Sequence, residues 1–297
     1  MSEALSTWPV RSDLRSVADR ALKYAARLWF LVAVGGQWIF VAYVLAFYGG
    51  SALSGNLSAW NRVGYVPGRT MSNVAIAAHL ALAVVIMVGG PLQFSSRLRR
   101  IAPFHRWNGR VYAVAVCVTS IAGLFMVWSR RILSLAQSLG ITVDAILIVS
   151  FAILAVRRAI ARDLDAHRRW TLRLFMVVNA GWFFRIGLME WLFLNRGPAG
   201  FDPKTFTGPF LSVLSFADYL LPLAVLELYL HVRDRGSVGG RFATAFSLLV
   251  LTVGMGIGIF AATMVMWLPR IRPSHETHKT ISQTLPKAAP ALRQQES

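Results

Sequence analysis

"NVAIAAHLALAVVIMVGGPLQF", residues Asn73–Phe94, carries a single ionisable side chain, His79. A helix on a soluble core would show polar residues along one face, repeating every three or four positions. No such stripe is present, and about 20 mainly apolar residues are what a bilayer-spanning helix requires. Six more blocks have the same character: Ala25–Tyr48, Gly109–Trp128, Gly140–Val156, Trp170–Leu194, Pro209–Leu230 and Phe242–Leu268. Apolar residues make up 56% of the 297 and charged residues only 15%, the balance of a chain solvated by lipid. The expectation is an all-α fold, a polytopic transmembrane helical bundle of seven spans. A basic segment at 1–24 precedes a transmembrane domain at 25–268, and the Pro, Gln, Ser and Thr of a polar tail at 269–297 predict disorder. The first block is too long for a secretory signal peptide, and no small-residue cleavage site follows it.

Positive charge is retained on the cytoplasmic side of membranes. The N-terminal segment carries Arg11, Arg15, Arg20, Lys23 and Arg27, and the loops before spans three and five are rich in Arg, whereas alternate loops are poor. This predicts a cytoplasmic N-terminus and, after seven spans, an outer C-terminus. The net charge of +18 is then topology and contact with anionic lipid head groups, with the bilayer as the main partner. No nucleic-acid module accompanies it. Cys117 is the sole cysteine, so no disulfide framework or zinc knuckle is available. No nucleotide-binding glycine loop or nucleophile elbow is found.

Two stretches share their letters. "FHRWNGR" at Phe104–Arg110 and "AHRRWTLR" at Ala166–Arg173 each hold His-Arg, a Trp, an Arg three residues after the Trp, and then an apolar run. They are consistent with a duplicated hairpin, spans two-three and four-five, or with two interfacial helix starts that independently collect Arg and Trp. As anchors, the arginines meet lipid phosphates and the tryptophans lie in the interfacial belt. As a site, His105 and His167 lie at one depth and could ligate the iron of haem b. Arg106, Arg110, Arg168 and Arg173 would then clamp its propionates, or the head group of a quinone, by charge-assisted bonds.

Ionisable groups at membrane depth are a second lead, because they are costly in lipid and mark cavities or relays. His79, Asp144, Glu190 and Asp218 fall in the outer half, and Arg185 lies roughly 15 Å deep at a helical rise of about 1.5 Å per residue. The candidate ligand pocket is His79, Gln93, Asn179, Arg185, Glu190 and Asp218, suited to proton relay or to an anionic group. The alternative is interhelical glue, with Arg185 neutralised by Asp218 or Glu190. On a straight helix Asn179 and Glu190 share a face and Arg185 points well over 100° away, which makes span five central. Glu227 and His231 form an interfacial pair. In "GMGIG", Gly254 and Gly258 share a face and predict close helix packing.

The run "HLALAVVIMVGGPLQFSSRLRRIAPFHRWNGRVY", with "AHRRWTLR" and Arg185, resembles an uncharacterised bacterial family of multi-span membrane proteins. The resemblance covers about a third of the chain. It implies that His79, Gln93, Arg97, His105, Arg106, Arg110, His167, Arg168, Trp170, Arg173 and Arg185 are recurrent positions, that the protein lies in a bacterial inner membrane, and no particular activity. Weaker likenesses are to haem A synthase, whose Glu-x-x-His-Arg string has Ala102 and Leu164 at the Glu positions here, and to cytochrome b561-type proteins, whose His-x-Trp is similar to His105 and Trp107. Two expectations follow: a membrane redox protein with haem b or quinone at His105 and His167, or a transporter or lipid- or anion-binding protein with an outer pocket around His79 and Arg185. A second copy of the chain is a further candidate partner.

Overall fold

The computed structural model describes residues 8–63, 65–130 and 133–271. Most of the polar tail, with His275 and His278, lies outside the described residues. The elements that span the membrane are α1 (Trp8–Val44), α2 (Thr70–Phe94), α3 (Ala102–Arg130), α4 (Leu135–Ile160), α5 (Leu164–Val178), α6 (Ala180–Leu194), α7 (Pro209–Arg235) and α8 (Val238–Ala261). Six spans are long and apolar enough alone, and α5 with α6 passes the same test as a bent pair, which makes seven if the pair is one span. All backbone donors and acceptors in lipid must be satisfied within the segment, and among the described residues no strand competes with the helices.

The expected boundary after residue 24 is not a structural break, because α1 runs through it. A π-turn at Leu45–Gly49 and the short helix Gly50–Leu53 extend α1, and a π-turn at Ala262–Trp267 extends α8. The two helices start at one end, where Asp19 and Arg241 form an ion pair at 3.0 Å. At the other end Tyr43 stacks on Trp267, and Arg270 donates to the Tyr43 hydroxyl at 3.0 Å. They therefore run parallel. The short turns at 95–101, 161–163 and 236–237 share the end at which α1 starts, and nearly all the clustered Lys and Arg gather there. We refer to it as the basic end.

Span five departs from the single helix expected over Trp170–Leu194. It begins at Leu164 and bends by 49° at Asn179. Asp163 caps its start, accepting from the Ala166 amide at 3.1 Å. At the bend the Asn179 Nδ2 donates back to the Phe175 carbonyl at 2.7 Å, the local competition for backbone groups that interrupts helices at Asn.

Glycines set the closest helix contacts. A Cβ on Gly140 of α4 would lie 2.5 Å from the Ser215 carbonyl oxygen of α7, and one on Gly258 of α8 would lie 2.5 Å from Ile186 of α6. The "GMGIG" face is thus a packing face, with Gly254 against Glu190 and Gly258 against Ile186. Gly208 before α7 has a φ of +149° and backs directly on the Gly200 carbonyl, so a side chain is barred there.

Overpacking typically destabilises by about 1–3 kcal/mol. Gly258→Leu is expected to lower the melting temperature of the detergent-solubilised protein. Gly256→Leu, with no atom within 4 Å of an added Cβ, is expected to leave it unchanged. Equal melting temperatures for the two variants would refute the packing.

Candidate functional site

The first His-Arg motif locks α3 onto the end of α2. Gln93 Nε2 donates to the His105 carbonyl at 3.3 Å, and Asn108 Nδ2 donates to the Gly89 carbonyl at 3.0 Å. Small residues make room: a Cβ on Gly89 would meet Asn108 at 3.0 Å, one on Gly90 would meet Tyr112 at 3.0 Å, and one on Gly109 would meet the Gln93 amide at 3.6 Å. "GGPLQ" and "HRWNGRVY" are therefore two halves of one contact. Gln93 belongs to this contact and not to the outer pocket expected of it, because the 14 residues separating it from His79 carry it roughly 21 Å along the helix. Arg110 packs over the exposed Trp107 ring at 5.3 Å.

The second copy is built differently. His167 Nδ1 is 2.9 Å from the Ala155 carbonyl, a bond that puts the proton on Nδ1. Arg173 meets Glu227 of α7 through two bonds of 2.6 and 2.9 Å and lies 4.7 Å over the Trp170 ring. Arg169 meets Asp234 at 2.6 Å. The shared letters thus serve a helix-helix lock in one copy and ion pairs to α7 in the other. Glu227, expected beside His231, pairs with Arg173 instead. His105 and His167 are near enough for their charges to interact, although α3 packs on α2 and α4 while α5 packs on α4 and α7.

Above these locks the basic end opens into a cavity of about 970 Å³ between α1, α5, α7 and α8. Trp29, Phe30, Phe94, Leu172, Met176 and Leu226 form its apolar floor. Its mouth holds six basic side chains, Lys23, Arg27, Arg99, Arg168, Arg233 and Arg241, against one acid, Asp19. Arg241 is only 4% exposed and engages Asp19, and Arg233 engages Asp234 at 2.9 Å. Among the described residues, no ion pair neutralises Lys23, Arg27, Arg99 or Arg168. Of the arginines expected to hold a ligand, Arg168 alone lines this cavity. Lys23, Arg27, Arg99, Arg233 and Arg241 come from segments far apart in sequence, and only the shared excess of positive charge at one end signals them.

The outer set divides in two. Arg185 lies 5.1 Å over Phe40, donates to the Gly181 carbonyl, and is within electrostatic range of His79, Tyr43 and Tyr48. His79 lies near the backbone of Thr119, and its Nδ1 is buried without a partner among the described residues. Glu190 and Asp218 instead line a second cavity of about 160 Å³, with Leu214, Pro222 and Met255. Arg185 and Glu190, five residues apart on α6, project to opposite sides of it, so span five does have two polar faces. Among the described residues no ion pair joins Arg185 to Asp218 or Glu190, contrary to the expected glue. Depth along the membrane is similar for these groups, but direction around the bundle differs. Asn179 sits at the bend, its Oδ1 buried and without a hydrogen-bond partner among the described residues.

Residues 76–220 match the model of a family described as predicted membrane protein, DUF2306. The matched residues, just under half of the chain, are similar to that family's domain. No curated protein and no solved structure matches the chain. The domain runs from α2 to the middle of α7 and includes both His-Arg motifs, while α1 and α8 lie outside it. The basic cavity therefore draws on both parts: Arg99 and Arg168 belong to the domain, and Lys23, Arg27, Arg233 and Arg241 do not.

An interhelical hydrogen bond in a membrane contributes on average about 0.6 kcal/mol. Gln93→Ala and Asn108→Ala should each lower stability by roughly this amount in a denaturant titration. A loss several times larger in either would mean that the side chain has a role beyond the α2–α3 contact.

Proposed function

We propose that this integral membrane protein binds an anionic amphiphile, a lipid or a lipid-like molecule, in the basic cavity. The observation that carries the reading is the division of that cavity into an apolar floor and a mouth with six cations against one acid. Its volume is that of sites that take whole small molecules. An acyl chain is already solvated by hydrocarbon before it binds, so its burial contributes little, and the preference must come from the head group. Each Lys or Arg near a membrane surface contributes about 1 kcal/mol toward an anionic head group, and Arg168 and Arg99 offer planar forks suited to phosphate or carboxylate. Retention of positive charge on the cytoplasmic side supports a cytoplasmic mouth, in a bacterial inner membrane.

Ligand that binds only the folded state stabilises it by about 2.7 kcal/mol at a hundredfold excess over Kd. Phosphatidylglycerol added to the detergent-solubilised protein should raise its melting temperature, and phosphatidylcholine should not. The double variant Arg99→Ala/Arg168→Ala should lose most of the rise, as should high salt. An equal rise with both lipids, or a full rise in the variant, would overturn the reading.

A second reading is favoured by the proximity of His105 and His167: haem b or a quinone held between them. With Nδ1 of His167 on a carbonyl, Nε2 is left as the ligating atom, the usual orientation of metal-bound imidazoles. It ranks second because the Arg173 fork already engages Glu227. A reduced-minus-oxidised spectrum of protein from haem-supplied cells should show a haem band that His105→Ala/His167→Ala abolishes. Its absence from the parent protein sinks the haem.

A further inference from the structure

Between α4 and α7 lie two acids that the basic cavity does not use. Asp144 of α4 and Asp218 of α7 face each other closely enough for their charges to interact, next to the Tyr219 hydroxyl. The close approach of α4 and α7 at Gly140 and Ser215, one turn away, brings them together. Three oxygens there, one Oδ1 of each aspartate and the Tyr219 hydroxyl, are buried without a hydrogen-bond partner among the described residues, and Tyr219 as a whole is 0% exposed. Among the described residues neither aspartate has a basic partner within ion-pair distance. Pro222, four residues after Asp218, lacks the N–H that would bond the Asp218 carbonyl, which leaves another acceptor at this spot.

A carboxylate at membrane depth is costly unless a cation or hydrogen-bond donors meet it, and such groups mark proton or ion pathways. The Tyr219 hydroxyl brings one O–H donor to the two carboxylate oxygens, and a protonated carboxyl would supply a second. A metal cation would need more ligands, and among the described residues no cluster of three or more His, Cys, Asp or Glu occurs.

An exchange route is also present. Asp218 lines the small cavity, which shares Trp29, Pro222 and Val225 with the basic cavity. The titratable neighbours are Glu190 of α6 across that cavity, Tyr219 of α7, and Tyr112 and Cys117 of α3 in the surrounding apolar cluster. The residues of α8 that line the small cavity, Leu251 and Met255, are apolar.

We propose that Asp144 and Asp218 form a proton-binding site in the membrane core, with Asp218 exchanging its proton through the small cavity toward the basic end. This rests on different residues from the amphiphile site and does not depend on what occupies it. Infrared spectra of the full chain in lipid, taken from about pH 5 to about pH 9, should show a protonated-carboxyl band at neutral pH. The band should change in Asp144→Asn and in Asp218→Asn, and disappear in the double variant. An apolar carbodiimide, which attacks protonated carboxyls, should label Asp218 of the unaltered protein at neutral pH and lose that labelling in alkali, a readout that needs no variant. No carboxyl band at neutral pH together with no labelling of Asp218 would overturn the proposal. So would a band unaffected by all three variants, or one that responds to sodium at constant pH as a cation site would.

Discussion

Close backbone approach at a handful of glycines governs where this bundle is tight and where it is open. In lipid the hydrophobic effect does not pull helices together, so association depends on packing and interhelical hydrogen bonds. Gly89 and Gly90 seat α2 on Asn108 and Tyr112 of α3, Gly140 seats α4 on the Ser215 backbone, and Gly258 seats α8 on α6. At the basic end α1 and α8 are joined by Asp19 and Arg241, α5 and α7 by Arg169–Asp234 and Arg173–Glu227, and the large cavity lies among these four helices. Pro222 and Trp29 sit at its inner limit, where the large cavity adjoins the small one. The close approach at Gly140 also brings Asp144 near Asp218.

The fold was legible because membrane helices state themselves in length and apolarity. Seven apolar blocks became six long apolar helices and the bent pair of α5 and α6, the alternation of Arg-rich turns marked one end, and the spacing of Gly254 and Gly258 identified a packing face correctly. The break at Asn179 was hidden because a single Asn inside an apolar run also reads as an ordinary buried polar residue. Its effect depends on the carbonyl its side chain recaptures.

The candidate sites were less legible. Helical rise gives depth from sequence, and it put His79, Arg185, Glu190 and Asp218 at comparable levels. Direction around the bundle depends on which helices are neighbours, and that separates His79 and Arg185 from Glu190 and Asp218. The His-Arg motifs drew attention for their shared letters, yet Asn108 and Gln93 do the packing in one copy, while Arg169 and Arg173 pair with α7 in the other. Lys23, Arg99, Arg233 and Arg241 meet only once the chain is folded, so no local pattern announces the cavity they surround.

These features describe a membrane protein with a charged, apolar-floored chamber at one end, adjoining a smaller cavity lined by Glu190 and Asp218. The central claim concerns what fills the chamber, and direct imaging tests it best. Electron cryo-microscopy of the protein in nanodiscs of mixed anionic and zwitterionic lipid should show elongated density along Trp29, Phe30 and Phe94, with its head at Arg99 and Arg168. A chamber filled only by ordered water, or by side chains that close it, would contradict the account.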